Sequence, residues 1–209
     1  MRTLLAAVLV ALALAAPAAA GPNPALLHPG SLNAKAPATY RVKVTTTKGA
    51  FVITVHRAWA PLGADRFYNL VKAGFYDGDP LFRVLPGFVV QWGISPYPEV
   101  SKAWLSQTIK DDPVRHSNTP GTVAFAATSQ PNSRTTQVFV NTGSNANLDQ
   151  YGFAPFGMVT SDMTALQKLY SGYGETASND QAQLTTQGAA FVQKHFPKLD
   201  RIVSARVVG

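Results

Sequence analysis

The sequence predicts a mainly β protein, a closed or nearly closed barrel with two or three α-helices at its ends. Short runs alternate apolar and polar residues with period two, and Gly, Asn, Ser and Pro separate them. Only a few segments have helical spacing, and no internal repeat or linker divides the chain.

Taken in order, the chain begins with Arg2, then an apolar run from Leu4 to Ala16, Pro17 and the small residues Ala18, Ala19 and Ala20. That pattern predicts a signal peptide over residues 1–20. Gly21, Pro22, Asn23 and Pro24 interrupt it before the roughly 20 apolar residues that a membrane span needs. Residues 21–38 are rich in Pro, Ala, Asn and Gly and predict a flexible leader. Residues 39–209 then form one domain.

Residues 40–47 (YRVKVTTT) and 51–56 (FVITVH) alternate on either side of Lys48-Gly49, which predicts a β-hairpin. Ala64, Phe67, Leu70 and Val71 recur at helical spacing, with Pro61 near the first turn and Gly74 at the end. The run "FRVLPGFVVQW", residues 82–92, reads as a pair of strands bent at Pro86-Gly87. Residues 121–128 and 136–142 add two strands. Ser161-Asp162 caps a short helix reaching about Tyr170, and residues 183–195 form another, stopped by Pro197. Residues 201–208 close with an alternating strand. "YSGYGE", residues 170–175, reads as a Gly-rich turn.

The composition removes several kinds of chemistry. There are 209 residues and no cysteine, so disulfides, thiol catalysis and cysteine-ligated metals are excluded. Lys plus Arg number 18 against 11 Asp plus Glu, yet the basic residues are scattered from Arg41 to Arg206 without a patch. The excess charge therefore points to solubility, with no nucleic-acid partner. His28, His56, His116 and His195 lie far apart, without metal-ligand spacing, and no metal is expected. No G-x-S-x-G or G-x-x-x-x-G-K motif is present. The close acidic pairs, Asp77/Asp79 and Asp111/Asp112, sit among Gly or Pro and read as turns.

What stands out is Arg83, the only charge in its run. Strand alternation puts Arg83 with Leu85 on one face and Val89 with Gln91 on one face. Gln137, Phe139 and Asn141 share a face opposite Val138 and Val140. Such a mixture predicts an apolar groove with a few convergent hydrogen-bonding groups.

"GFYDGDPLFRVLPGFVVQWG" resembles the motif of the cyclophilin-type peptidyl-prolyl cis–trans isomerases. "FYNLVKAGFY", "GTVAFAATSQPNSRTTQVFVNT" and "NLDQYGFAPFGMV" resemble further blocks of that family, in the right order. The resemblance covers residues from about 40 to 208 and is to an exported bacterial type. It implies a closed eight-stranded antiparallel β-barrel capped by helices, with a groove on its outer face. It also implies no metal, no cofactor and no covalent intermediate.

By the same resemblance, Arg83 is the catalytic arginine, which hydrogen-bonds the nitrogen of a twisted prolyl amide. Phe88 floors the proline pocket, Gln91 lies beside it, and Phe139 and Leu148 wall it. Ala126 holds the peptide backbone and Gln137 lines the groove. Several positions depart from the family's habit: Phe82 replaces a histidine, Val89 a methionine, Ala127 an asparagine and Trp92 a glycine. Asn147 stands where some members have tryptophan, and Phe153 where many have His or Tyr. All but Trp92 and Asn147 are candidate substrate-binding positions.

The partners so implied are proline-containing segments of exported proteins, met by a monomer in the periplasm or outside the cell after cleavage near Ala20. No stable membrane insertion is expected after cleavage. Phe82, Ala127 and Trp92 motivate an alternative, a binding module or chaperone of the same fold with little catalysis.

Overall fold

The computed structural model describes residues 21–161 and 163–208. The expected signal peptide lies outside the described residues. Eight strands carry the domain: β1 (Thr39–Thr46), β2 (Gly49–His56), β3 (Arg83–Val84), β4 (Val89–Trp92), β5 (Thr122–Phe125), β6 (Val138–Asn141), β7 (Pro155–Val159) and β8 (Ile202–Val208). Among the described residues five α-helices accompany them: α1 (Pro61–Ala73), α2 (Pro98–Trp104), α3 (Thr164–Gln167), α4 (Thr176–Asn179) and α5 (Gln181–His195).

All pairings are antiparallel, in the order β3-β4-β6-β5-β7-β2-β1-β8. The expected closed barrel is therefore corrected to one curled sheet whose edges, β3 and β8, are not joined by a ladder. At that seam only the bridge between Pro80 and Arg201 forms. Backbone hydrogen bonds flank it, from Gly78 N–H to Ile202 O at 2.8 Å and from Leu81 N–H to Asp200 O at 2.9 Å. The physical reason is local: β3 has two residues, and Pro80 before it has no N–H to donate.

The concave face of the sheet holds the main core. Val42 and Val44 on β1, Ile53 and Val55 on β2, and Val138 and Val140 on β6 are all buried there, as period two requires. Helix α1 adds Ala64, Phe67, Leu70 and Val71, the residues its spacing predicts. Phe67 and Phe125 both pack on Phe156, with ring centroids 5.0 and 5.3 Å away. Trp92 is also fully buried in this core, edge-on to Phe51 and Tyr76.

Strand β7 was not anticipated from residue patterning, because Pro155 and Gly157 break its alternation. Gly157 is required there: a Cβ would lie 2.6 Å from Thr54 O on the paired strand. Helix α2 was likewise unforeseen. It buries Trp104, which donates from Nε1 to Leu26 O at 2.9 Å.

That bond belongs to a second correction. Residues 21–38, expected as a flexible leader, lie on the domain: Leu26 and Ala36 are buried in its core. Asn69 donates from Nδ2 to Ala34 O at 2.7 Å and accepts from the Ala34 N–H at 3.0 Å. Isolated anchors of this kind have no periodicity to reveal them.

Helix α5 is broken by non-helical geometry at Gly188, beside which Ala189 N–H donates to Pro96 O at 3.0 Å. Beneath α4 and α5 lies a separate apolar cluster of Phe82, Ile94, Ala177, Leu184, Phe191 and Phe196. The helix expected up to about Tyr170 is confined to one turn, α3.

Candidate active site

Strand register assembles the site. Arg83 on β3 lies opposite Gln91 on β4, Gln91 opposite Phe139 on β6, and Phe139 opposite Ala124 on β5. Residues directly opposite in a sheet share a face. One row across four strands thus carries Arg83, Gln91, Phe139 and Ala124 on the face away from the main core. Alternation within β3 ends at Val84, so Leu85 does not join Arg83; it lines a different recess, with Val84 and Val90. Gly87, at φ 76°, closes the turn between β3 and β4 and leaves Phe88 beside Arg83.

A cavity of about 340 Å³ opens at this row. Of the residues predicted from sequence, Arg83, Phe88, Val89, Gln91 and Ala126 line it, together with Ala127, Phe139, Leu148 and Phe153. Val89 and Phe139 form its apolar floor with Ala124 buried in the same cluster, and Phe88, Ala126, Leu148 and Phe153 pack against them. The size suits a small side chain held between this apolar floor and the polar groups of Arg83, Gln91, Glu175, Ser178, Asn179 and Gln181.

Two predicted residues lie elsewhere. Phe82 is fully buried in the cluster beneath α4 and α5 and faces away from the cavity. Its reading as a groove residue is corrected, because consecutive strand residues point to opposite faces. Gln137 borders an adjoining recess of about 190 Å³, which shares Gln91, Ala126 and Ala127 with the first. Its Oε1 accepts from Gln91 Nε2 at 2.9 Å, and its Nε2 donates to Gln181 Oε1 at 2.8 Å.

Arg83 lies with its guanidinium carbon 5.3 Å from the centre of the Phe88 ring. Its Nη1 donates to Gln91 Oε1 at 3.3 Å. Its Nε and Nη2 donate side-on to the two oxygens of Glu175, at 2.8 and 2.6 Å. Hydrogen bonds from Arg83 hold the Glu175 carboxyl below the usual carboxylate range, and a further bond from Ser178 acts in the same direction against partial burial. Sequence reasoning missed Glu175, reading its segment as a turn. A contact between residues 92 positions apart leaves no local signal.

The walls are held from behind. Leu148 rides on a short 3-10 helix, Ala146–Tyr151. Asp149 in that helix accepts from the Asn118 backbone N–H at 2.9 Å and from Asn118 Nδ2 at 2.7 Å. Burial would raise the Asp149 carboxyl, but hydrogen bonds from Ser117 and Asn118 outweigh it and lower it. Phe153 meets Phe139 edge-on at 5.7 Å. Behind Phe153, the buried Arg134 guanidinium lies 5.9 Å from its ring and donates to Gly152 O and to Asp111.

Residues 41–188 match the family model described as cyclophilin type peptidyl-prolyl cis-trans isomerase. Peptidyl-prolyl cis-trans isomerase A of Dickeya dadantii is 33% identical over 138 residues, covering 61% of this chain and 70% of that protein. A peptidyl-prolyl cis-trans isomerase of Acinetobacter baylyi is 33% identical over 142 residues, covering 66% and 76%. Among solved structures, a cyclophilin type peptidyl-prolyl cis-trans isomerase of Cryptosporidium parvum superposes with a TM-score of 0.60 at 17% identity, covering 82% of this chain and 98% of that one. AquaCyp293, a cyclophilin from Hirschia baltica, gives 0.59 at 16% identity, covering 86% and 78%. The last two likenesses speak to fold, and the first three to descent: this chain belongs to the cyclophilin-type peptidyl-prolyl cis–trans isomerase family.

Proposed function

We propose that this protein accelerates the cis–trans rotation of X-Pro bonds in polypeptide segments laid across the cavity of Arg83 and Phe88. The observation that carries this reading is the guanidinium of Arg83, an obligate donor, poised over the Phe88 ring beside a recess with an apolar floor. A peptide bond resists rotation by roughly 18–20 kcal/mol through C–N double-bond character. For X-Pro the two isomers differ by only about 0.5–1 kcal/mol, yet they exchange over tens to hundreds of seconds. The task is therefore to stabilise the twisted amide, with no bond cleaved.

When the amide twists, resonance is lost and the proline nitrogen gains a lone pair that accepts a hydrogen bond. Arg83 donates that bond. Because the acceptor exists only in the twisted state, the interaction lowers the barrier without tightening ground-state binding. A charge-assisted hydrogen bond contributes about 1.5–3 kcal/mol, roughly ten- to a hundredfold in rate.

The remaining acceleration comes from the pocket. Phe88, Val89, Phe139, Leu148 and Phe153 hold the proline ring while the preceding carbonyl turns, and they exclude water that would compete for the donor. Gln91 orients Arg83, and the Ala126 and Ala127 backbone and Gln137 steady the flanking peptide. A guanidinium stays protonated across the pH range that an exported protein meets.

The substrates in this proposal are exported proteins during folding, and the enzyme acts as a monomer in the periplasm or outside the cell. The predicted cleavage site near Ala20 supports that location, and an exported product whose N-terminal sequence begins near Gly21 is the expected finding.

The test is X-Pro exchange in a short peptide followed by NMR, with wild type beside Arg83→Ala. Acceleration that falls about ten- to a hundredfold on substitution is expected. Peptide binding without acceleration would instead identify a proline-binding module.

A further inference from the structure

Arg83 has a second orienting partner, and it comes from outside the strands. Glu175 precedes α4, and its carboxylate takes both Nε and Nη2 of the guanidinium, at 2.8 and 2.6 Å. Gln91 takes Nη1 alone, at 3.3 Å. A bidentate fork fixes both the plane and the in-plane rotation of a guanidinium, which a single long hydrogen bond does not. Of the five N–H donors of an arginine, these contacts engage one on each nitrogen, so Nη1 and Nη2 each retain one.

Glu175 is itself held. Ser178 Oγ lies 2.6 Å from Glu175 Oε2 and 2.8 Å from the Glu175 carbonyl oxygen. Two residues after Glu175, Ala177 is fully buried against the cluster that contains Phe82. The carboxylate is thus mounted on a packed support, and that support stands on the residue adjacent to Arg83.

We propose that Glu175 is a positioning residue of the isomerase site, fixing Arg83 over Phe88 so that its remaining N–H donors meet the twisting amide without reorganisation. The inference rests on the reading of Arg83 as the donor to the prolyl nitrogen. It makes the segment that leads into α4 part of the catalytic apparatus. Glu175 borders the cavity beside Arg83, and because it acts through the guanidinium its effect falls on turnover more than on binding.

A consequence separates this role from a structural one. Only ionised Glu175 offers two full acceptors, and Arg83 is the charged group facing it among the described residues. Ser178 and Asn179 on α4, Gln91 on β4 and Gln181 on α5 are the other polar groups lining this place, and none titrates. Since Arg83 holds the carboxyl below its ordinary value of about 4.3, the clamp persists through neutral and mildly acidic pH. It opens only at still lower pH.

The experiment measures X-Pro exchange with the full chain for wild type, Glu175→Gln, Glu175→Ala and Arg83→Ala, with circular dichroism at each pH to confirm folding. Glu175→Ala is expected to lower kcat about ten- to a hundredfold with KM little changed, and Glu175→Gln, which keeps shape and one acceptor, to fall between. Wild-type activity is expected to drop toward that of Glu175→Gln below the carboxylate range, where the variant's own profile stays flat. The Arg83 Nε–H resonance, sharp in wild type, is expected to broaden in Glu175→Ala.

An Ala variant at the wild-type rate overturns the proposal. So does a faster one, which would make Glu175 a competitor for the donors of Arg83. If wild type does not accelerate exchange, or Arg83→Ala retains full activity, the isomerase assignment fails instead. An unchanged Nε–H resonance in Glu175→Ala would then still refute the clamp by itself.

Discussion

The interior of the curled sheet draws Val42, Val44, Ile53, Val55, Val138 and Val140 from alternating positions of three strands. The smaller cluster beneath α4 and α5 draws Phe82, Ile94, Ala177, Leu184, Phe191 and Phe196 from segments that share no period. The first is what period-two patterning builds. The second is assembled only by the path of the chain, and it holds the segment that brings Glu175 to Arg83. The two meet at Phe82-Arg83, where one side chain anchors the C-terminal helices and the next faces the cavity. Phe82 is a core residue of the smaller cluster.

This contrast is broken most forcefully by removing one aromatic from each assembly. Phe156→Ala and Phe82→Ala each delete a fully buried ring, and each is expected to cost about 3–5 kcal/mol. The costs are distributed differently. Phe156→Ala lowers the denaturation midpoint of the whole domain, whereas Phe82→Ala strips hydrogen-exchange protection first from α4 and α5. Equal loss of protection throughout the sheet in Phe82→Ala would show that the smaller cluster is not a separate unit.

A smaller effect sharpens the account of the seam between β3 and β8. Asp79 is fully buried there, and neither carboxylate oxygen meets a hydrogen-bond partner among the described residues. Burial, with the Asp77 charge adding to it, pushes its carboxyl well above the usual range. Its folded-state pKa exceeds its unfolded value of about 3.9. Its stabilising contribution is therefore complete below that value and is lost as pH rises toward the folded pKa. Asp79→Asn, which removes the buried acid while keeping its shape, is expected to raise stability at neutral pH. The gap should close in urea titrations repeated at falling pH, and a gap independent of pH would refute the assignment.

The smallest expected effect concerns the wall of the cavity. Arg134→Met removes the guanidinium behind Phe153 and its hydrogen bond to Gly152 O. Peptide affinity is expected to weaken by about 1 kcal/mol, read as a higher KM with kcat unchanged. A fall in kcat alone would place Arg134 in another role.

How much of this was legible varies with the range of the contact. The β1–β2 hairpin, α1 and β8 follow from periodicity and turn residues, and their register follows from which face is buried. Part of the cavity was readable from alternation, which offers Arg83, Gln91 and Phe139 on faces of neighbouring strands; Phe88, Ala126, Leu148 and Phe153 were legible only through the family resemblance. Strand β7 was hidden by a proline and by a glycine that a close backbone approach demands. The packing of residues 21–38 was hidden because single anchors such as Leu26 carry no pattern.

By itself the sequence determined the mainly β architecture and the odd charge at Arg83 with Gln91 and Phe139 on strand faces, since these depend on the two-residue period of a strand. The apolar residues Phe88, Leu148 and Phe153 around it came from the family resemblance. Only the tertiary structure decided that the sheet stays open at its seam, that Phe82 turns away from the cavity, and that Glu175 takes hold of Arg83. Each of those rests on contacts between residues distant in the chain, and local propensity carries no information about which distant partner will arrive.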